Sequence, residues 1–109
     1  MGFFSSIPSV SVAEAAQKLH SDNTLLIDVR SSAEFASGHA QGAQNCPLPS
    51  LAKCIDKLKN FTEVYVICQS GGRSSAAVSM LLSEKLPAIN IAGGTSAWHA
   101  QGLPMSLAL

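Results

Sequence analysis

Seven consecutive residues, Cys68-Gln69-Ser70-Gly71-Gly72-Arg73-Ser74, bring together a thiol, two adjacent glycines and a guanidinium. They follow Val64-Tyr65-Val66-Ile67, a run of β-branched and aromatic residues that reads as a strand. After them Ala77, Val78, Leu81 and Leu82 recur at helical spacing. A helix start of this kind favours anions, because its first N–H groups lack intrahelical partners and carry partial positive charge. Gly71 and Gly72 let the backbone curl until several N–H groups converge as a nest. In such a cradle a thiol ionises readily, one or more units below its free value of ~8.5. Arg73 adds a forked cation matched to tetrahedral oxyanions. The chemistry that fits is group transfer through a covalent cysteine intermediate. The duller alternative is a structural cysteine beside a glycine turn. Strand, cysteine, double glycine, arginine and helix start coincide, which argues against it.

The elements that must position this loop alternate along the chain. Ser11 to Glu14 reads as a capping box opening a helix to about His20. Thr24-Leu25-Leu26-Ile27-Asp28 reads as a strand buried on both faces. A second capping box, Ser31 to Glu34, starts a short helix that stops at Gly38, and an extended piece follows near Ala43 to Cys46. Beyond Pro47 and Pro49, residues Leu51 to Lys59 carry an apolar stripe of Leu51, Ile55 and Leu58, which predicts an amphipathic helix. Further on come a helix from about Ser74 to Leu86 stopped by Pro87, and a buried strand Ala88 to Ile91. After the Gly93-Gly94 turn, Thr95 or Ser96 is expected to cap a last helix through Ala100. This rhythm predicts an α/β domain with a central parallel sheet of about five strands and helices on both faces. Ligands of such sheets bind at the carboxyl ends of the strands, which directs attention to the residues after Ile27, Ile67 and Ile91.

Bulk properties set limits. With 109 residues, 47% hydrophobic and 13% charged, the chain suits one well-packed domain, read here as residues 1–109 with 1–6 an irregular leading segment. Met1 to Ser6 matches the short N-myristoylation pattern, which is common by chance. Net charge is +0 with no basic face, so no nucleic-acid partner is expected. No apolar run reaches bilayer length and no secretory signal is expected. Three cysteines, Cys46, Cys54 and Cys68, form no CxxC pair; a disulfide framework or a zinc site is not expected, and free thiols suggest the cytoplasm.

At this point the sequence closely resembles the rhodanese superfamily. The active loop of that family runs from a cysteine at a strand end to an arginine five positions on, then Ser or Thr; Cys68, Arg73 and Ser74 fit it. Leu26-Ile27-Asp28-Val29-Arg30, Glu34-Phe35 and Gly38-His39-Ala40-Gln41-Gly42-Ala43 resemble the upstream motif, with Ala40 and Gln41 replacing the usual Ile and Pro. Gly93-Gly94, Ala97-Trp98 and Gly102-Leu103-Pro104 resemble the downstream one. The resemblance implies a thiosulfate sulfurtransferase of the single-domain type. Cys68 would take sulfur from a small anionic donor as a persulfide and pass it to cyanide, a thiol or a protein acceptor. Arg73 would hold the donor, and the backbone from Gln69 through Ser70, Gly71 and Gly72 to Ser74 would form the anion cradle. No cofactor or metal is implied.

Asp28 and Arg30 are expected to organise the rim, with Arg30 pairing Glu34 in preference to binding substrate. His39 and Trp98 read as structural, His20 and His99 as surface residues, and Cys46 and Cys54 as inert. Two other functions compete. Phosphatases and arsenate reductases related to this family carry five residues between Cys and Arg, whereas four intervene here. A persulfide carrier serving a partner protein is the other rival.

Overall fold

The computed structural model describes residues 7–107; the expected irregular segment 1–6, with its myristoylation pattern, lies outside them. The elements in chain order are β1 (Ser9–Val10), α1 (Val12–Lys18), β2 (Thr24–Asp28), α2 (Ser32–Ala36), β3 (His39–Ala40) and β4 (Gln44–Asn45). A 3₁₀ helix (Leu48–Cys54) then leads into α3 (Ile55–Leu58), β5 (Glu63–Ile67), α4 (Gly72–Ser83), β6 (Ala88–Ile91), α5 (Gly94–Ala100) and β7 (Met105–Ser106). Five strands form one parallel sheet in the order β1-β6-β5-β2-β4, as the alternation requires. In its centre Asp28 is in register with Ile67 on one side and Asn45 on the other. A separate antiparallel pair joins β3 to β7.

Side-chain alternation in the central strands feeds two cores. Leu25, Ile27, Val64 and Val66 face Ala77, Val78 and Leu81 of α4 and Leu51 and Leu58 of the connecting helices. Leu26, Tyr65 and Ile67 face Val12 and Ala15 of α1 and Trp98 of α5. Cys68 continues the parity of Val64 and Val66 and belongs to the α4 side.

Several boundaries differ from the sequence expectations. Residues Leu51 to Lys59 are not one amphipathic helix: Pro49 near its start suits a tight 3₁₀ run to Cys54, and only Ile55–Leu58 is α-helical. The apolar stripe is still used, since Leu51 and Leu58 are buried. Helix α4 ends before Leu86, because Lys85 adopts φ 62° and Leu86 N–H closes onto the Leu81 carbonyl at 3.0 Å. Strands β1, β3 and β7 have two residues each, too few to leave a periodic signal.

The reading of Cys46 and Cys54 as free, inert thiols is corrected. They form a disulfide, with Cα atoms 6.7 Å apart across a separation of eight residues. Parallel pairing places β4 beside β2, and the following 3₁₀ helix returns Cys54 to the end of β4. The thiol-based argument for a reducing compartment therefore loses two of its three cysteines. No helix among the described residues is long and apolar enough to cross a membrane. Closing so short a loop restrains the unfolded chain, so Cys46→Ser with Cys54→Ser should lower stability by about 2–3 kcal/mol. Urea unfolding measures that loss, and alkylation of Cys68 in the same variant should be unchanged.

Candidate active site

The site forms where β5 runs into α4. Gly71 precedes the helix with φ 113°, a conformation that L side chains resist, and turns the loop back over the Cys68 sulfur. Gly71 N–H donates to Cys68 Sγ at 3.1 Å, and the Cys68 thiol lies 3.3 Å from Ser74 Oγ in the first turn of α4. Burial pushes this thiol up. Hydrogen bonding from the Ser74 hydroxyl and from the backbone of Ser74, Gly71 and Ser70 outweighs it and brings the thiol below its ordinary value. Cys68 is the one free cysteine among the described residues.

Ser74 connects the sulfur to a polar chain. Its Oγ is 2.6 Å from Asn90 Oδ1 and 3.1 Å from the Gly71 carbonyl. While Cys68 is protonated the thiol donates to Ser74, which donates onward; loss of that proton frees Ser74 to turn its hydroxyl toward sulfur. Asn90 was not among the expected site residues. Its signal was a polar side chain in the middle of the otherwise apolar β6.

The outer wall of the loop is held by β6–α5. Thr95 N–H donates to the Cys68 carbonyl at 2.8 Å and Ser96 N–H to the Gln69 carbonyl at 3.0 Å. These bonds explain why Gly93, with φ 84°, precedes α5 in place of the expected Thr95 or Ser96 cap. Gly94 must lack a side chain, because a Cβ there would collide with the Cys68 and Gln69 backbone.

Asp28 and Arg30 lie beside the loop, both buried. Arg30 Nη2 meets Asp28 Oδ2 at 2.8 Å, and Arg30 Nε and backbone N–H also donate to the same carboxylate. The expected pairing of Arg30 with Glu34 is thus incorrect. The guanidinium continues to the Gly38 carbonyl at 2.7 Å and to Gln69 Oε1 at 3.1 Å. Gln69 in turn donates to Ser96 Oγ at 2.8 Å, so its side chain braces the loop. Glu34 instead receives Arg73 at two points, Nη1–Oε1 at 2.7 Å and Nη2–Oε2 at 3.0 Å. The sequence placed Glu34 one turn from Arg30; the fold turns it toward a residue 39 positions away.

His39 is structural, as expected: buried, stacked on Phe35, with Nδ1 2.8 Å from the Phe35 carbonyl. Trp98 packs in the α1–α5 core and donates Nε1–H to the Pro104 carbonyl at 2.7 Å. His20 and His99 are exposed.

The Rhodanese-like domain family model matches residues 11–101, which include the upstream motif, the loop and the downstream motif as far as Trp98. The chain belongs to the rhodanese-like family. Among curated proteins it is 34% identical over 96 residues to "Putative sulfur carrier protein YrkF" of Bacillus subtilis, covering 86% of this chain and 52% of that one. The rhodanese-like chain thus spans about half the length of this relative. Among solved structures it is similar to a rhodanese-related protein of Thermoplasma volcanium, with TM-score 0.84, 28% identity, and coverage of 93% and 99% of the two chains. It also resembles a thiosulfate sulfurtransferase of Pseudomonas aeruginosa, with TM-score 0.84 and 26% identity over 93% of this chain and 19% of that one.

Two predictions follow from this geometry. Arg30→Met leaves the Asp28 carboxylate buried without its partner, which should cost about 3–5 kcal/mol in urea unfolding. Ser74→Ala removes a hydrogen bond that favours the thiolate. Since Cys68 titrates below an ordinary thiol, alkylation by iodoacetamide begins at lower pH than for a free cysteine, and in Ser74→Ala its onset should move to higher pH.

Proposed function

We propose that this chain transfers sulfane sulfur through a persulfide on Cys68. The observation carrying this reading is the Cys68 sulfur, set at a strand end and covered by N–H donors of a loop that closes onto α4. Cys68 thiolate attacks the outer sulfur of thiosulfate or a similar donor. The donor's S–S bond breaks, its electron pair leaves with sulfite, and Cys68 keeps the transferred sulfur as Cys–S–S⁻. That atom extends Sγ by about 2 Å, lifting the reactive end away from the buried floor. A thiolate or cyanide then attacks the outer sulfur and returns Cys68 to the thiolate.

The backbone N–H groups of Ser70, Gly71 and Ser74 stabilise the anionic sulfur at each stage. Gln69 keeps the loop closed through Arg30 and Ser96, Gly72 opens α4, and Asp28 with Arg30 supports the site without touching substrate. Arg73 meets an anionic donor by exchanging one partner for another, since Glu34 already occupies it. Four residues between Cys68 and Arg73 make a cradle suited to one sulfur atom better than to a phosphoryl group. The cycle needs no cofactor or metal.

A second reading is favoured by the name of the Bacillus subtilis relative: Cys68 acts as a sulfur carrier and delivers the persulfide to a partner protein. Both readings share the loaded intermediate.

Intact-mass measurement after thiosulfate treatment should show one added sulfur atom on wild-type protein and none on Cys68→Ser, which should also lose at least 99% of transfer to cyanide, on the order of a lost nucleophile. Retained transfer in Cys68→Ser would refute the mechanism. Fast transfer to small thiols supports the enzyme reading, and loading without release to any small acceptor supports the carrier.

A further inference from the structure

The two arginines beside Cys68 are both committed to other groups. Arg30 is divided among Asp28, Gly38 and Gln69. Arg73, the sole cation of the loop Cys68 to Ser74, is gripped at both outer nitrogens by Glu34. This carboxylate is fixed in place: its Oε1 also accepts the Ser31 backbone N–H at 3.2 Å and hydroxyl at 3.1 Å, completing the capping box of α2. The Arg73 hydrogen bonds first, then that of the Ser31 backbone, draw its pKa down to about 2, so Glu34 is charged throughout the physiological range. Among the described residues Arg73 is also the sole charged side chain lining an open cleft of about 460 Å³, walled by Val29, Ser31, Pro47, Leu48 and Ser50 among others. The lining of the cleft is thus apolar and hydroxylic apart from Arg73, and that cation is paired with Glu34.

Building on the sulfur-transfer reading, we propose that Glu34 determines donor specificity by charge. It occupies Arg73 and opposes dianionic donors, so that the site favours singly charged or neutral sulfane donors such as the persulfide of an organic thiol. A dianion must separate Arg73 from a two-point partner and tolerate a nearby fixed negative charge. A monoanion meets half the repulsion.

The energy of a charge in a fixed potential is proportional to that charge. Removing the Glu34 charge therefore multiplies the rate by one factor for a monoanion and by its square for a dianion. At a half-exposed site in ordinary salt this factor is about 3 per unit charge, hence roughly tenfold for a dianion.

Thiosulfate and methanethiosulfonate provide the comparison. They are alike in size, and Cys68 breaks the S–S bond of each, releasing sulfite from one and methanesulfinate from the other and gaining the same persulfide. Glu34→Gln removes the charge and preserves the Ser-x-x-Gln form of the capping box. With thiosulfate, kcat/KM should rise about tenfold, and with methanethiosulfonate about threefold, both gains shrinking as salt is added. Equal gains for the two donors, no gain, or a loss confined to thiosulfate would overturn the role of Glu34. A purely structural effect would move both donors together and leave their ratio fixed. If neither donor adds sulfur to Cys68 in wild type or variant, the sulfur-transfer reading itself fails; if both do and the ratio is unchanged, the failure belongs to Glu34 alone.

Discussion

The buried ion pair of Asp28 and Arg30 is the constraint on which the site depends. An ionised carboxylate with no exposed surface is sustained only by partners that satisfy its oxygens, and here Arg30 supplies backbone and side-chain donors from two residues away. The pair does more than neutralise itself. The same guanidinium reaches the Gly38 carbonyl in the turn before β3 and the Gln69 side chain in the loop after β5. Asn45 donates to the Asp28 and Arg30 carbonyls from the other side, fixing the end of β2 against β4. One pair thus joins the sheet's carboxyl edge, the α2–β3 turn and the loop.

Against that frame the loop is suspended from both ends. Its carbonyls at Cys68 and Gln69 accept the first N–H groups of α5, while its N–H groups turn inward toward sulfur. At Cys68 and Gln69 the carbonyls face α5, while the Gly71 N–H faces the sulfur. This arrangement makes a buried sulfur tolerable as an anion, because hydrogen bonds from fixed dipoles replace those of water. It also explains the intolerance of Gly94 to a side chain, since the two segments approach at backbone distance.

Much of this was legible in the residues. Continuous apolar runs in Thr24–Asp28 and Glu63–Ile67 and helical periodicity after Gly72 point to a parallel α/β sheet, and each sits in an element long enough to show its pattern. The thiol in its glycine loop was visible because local chemistry alone marks it. The two-residue strands β1, β3 and β7 leave no such pattern, and the 3₁₀ run after Pro47 differs from the expected regular helix because Leu51, Ile55 and Leu58 fit both forms. Local backbone chemistry there outweighed the stripe.

The sequence by itself determined the fold class, the strand end that carries Cys68 and the helix start that activates it, because these depend on neighbours a few residues apart. The tertiary structure decided the partners. Glu34 meets Arg73 across 39 residues, Ser74 meets Asn90 across 16, and Cys46 joins Cys54 through the return of the 3₁₀ helix. Such pairings are fixed by strand order and register, and no local pattern encodes which of two charged side chains a third will face once the sheet has formed. For the Cys68 sulfur, its identity was local and its electrostatic surroundings were set by the fold.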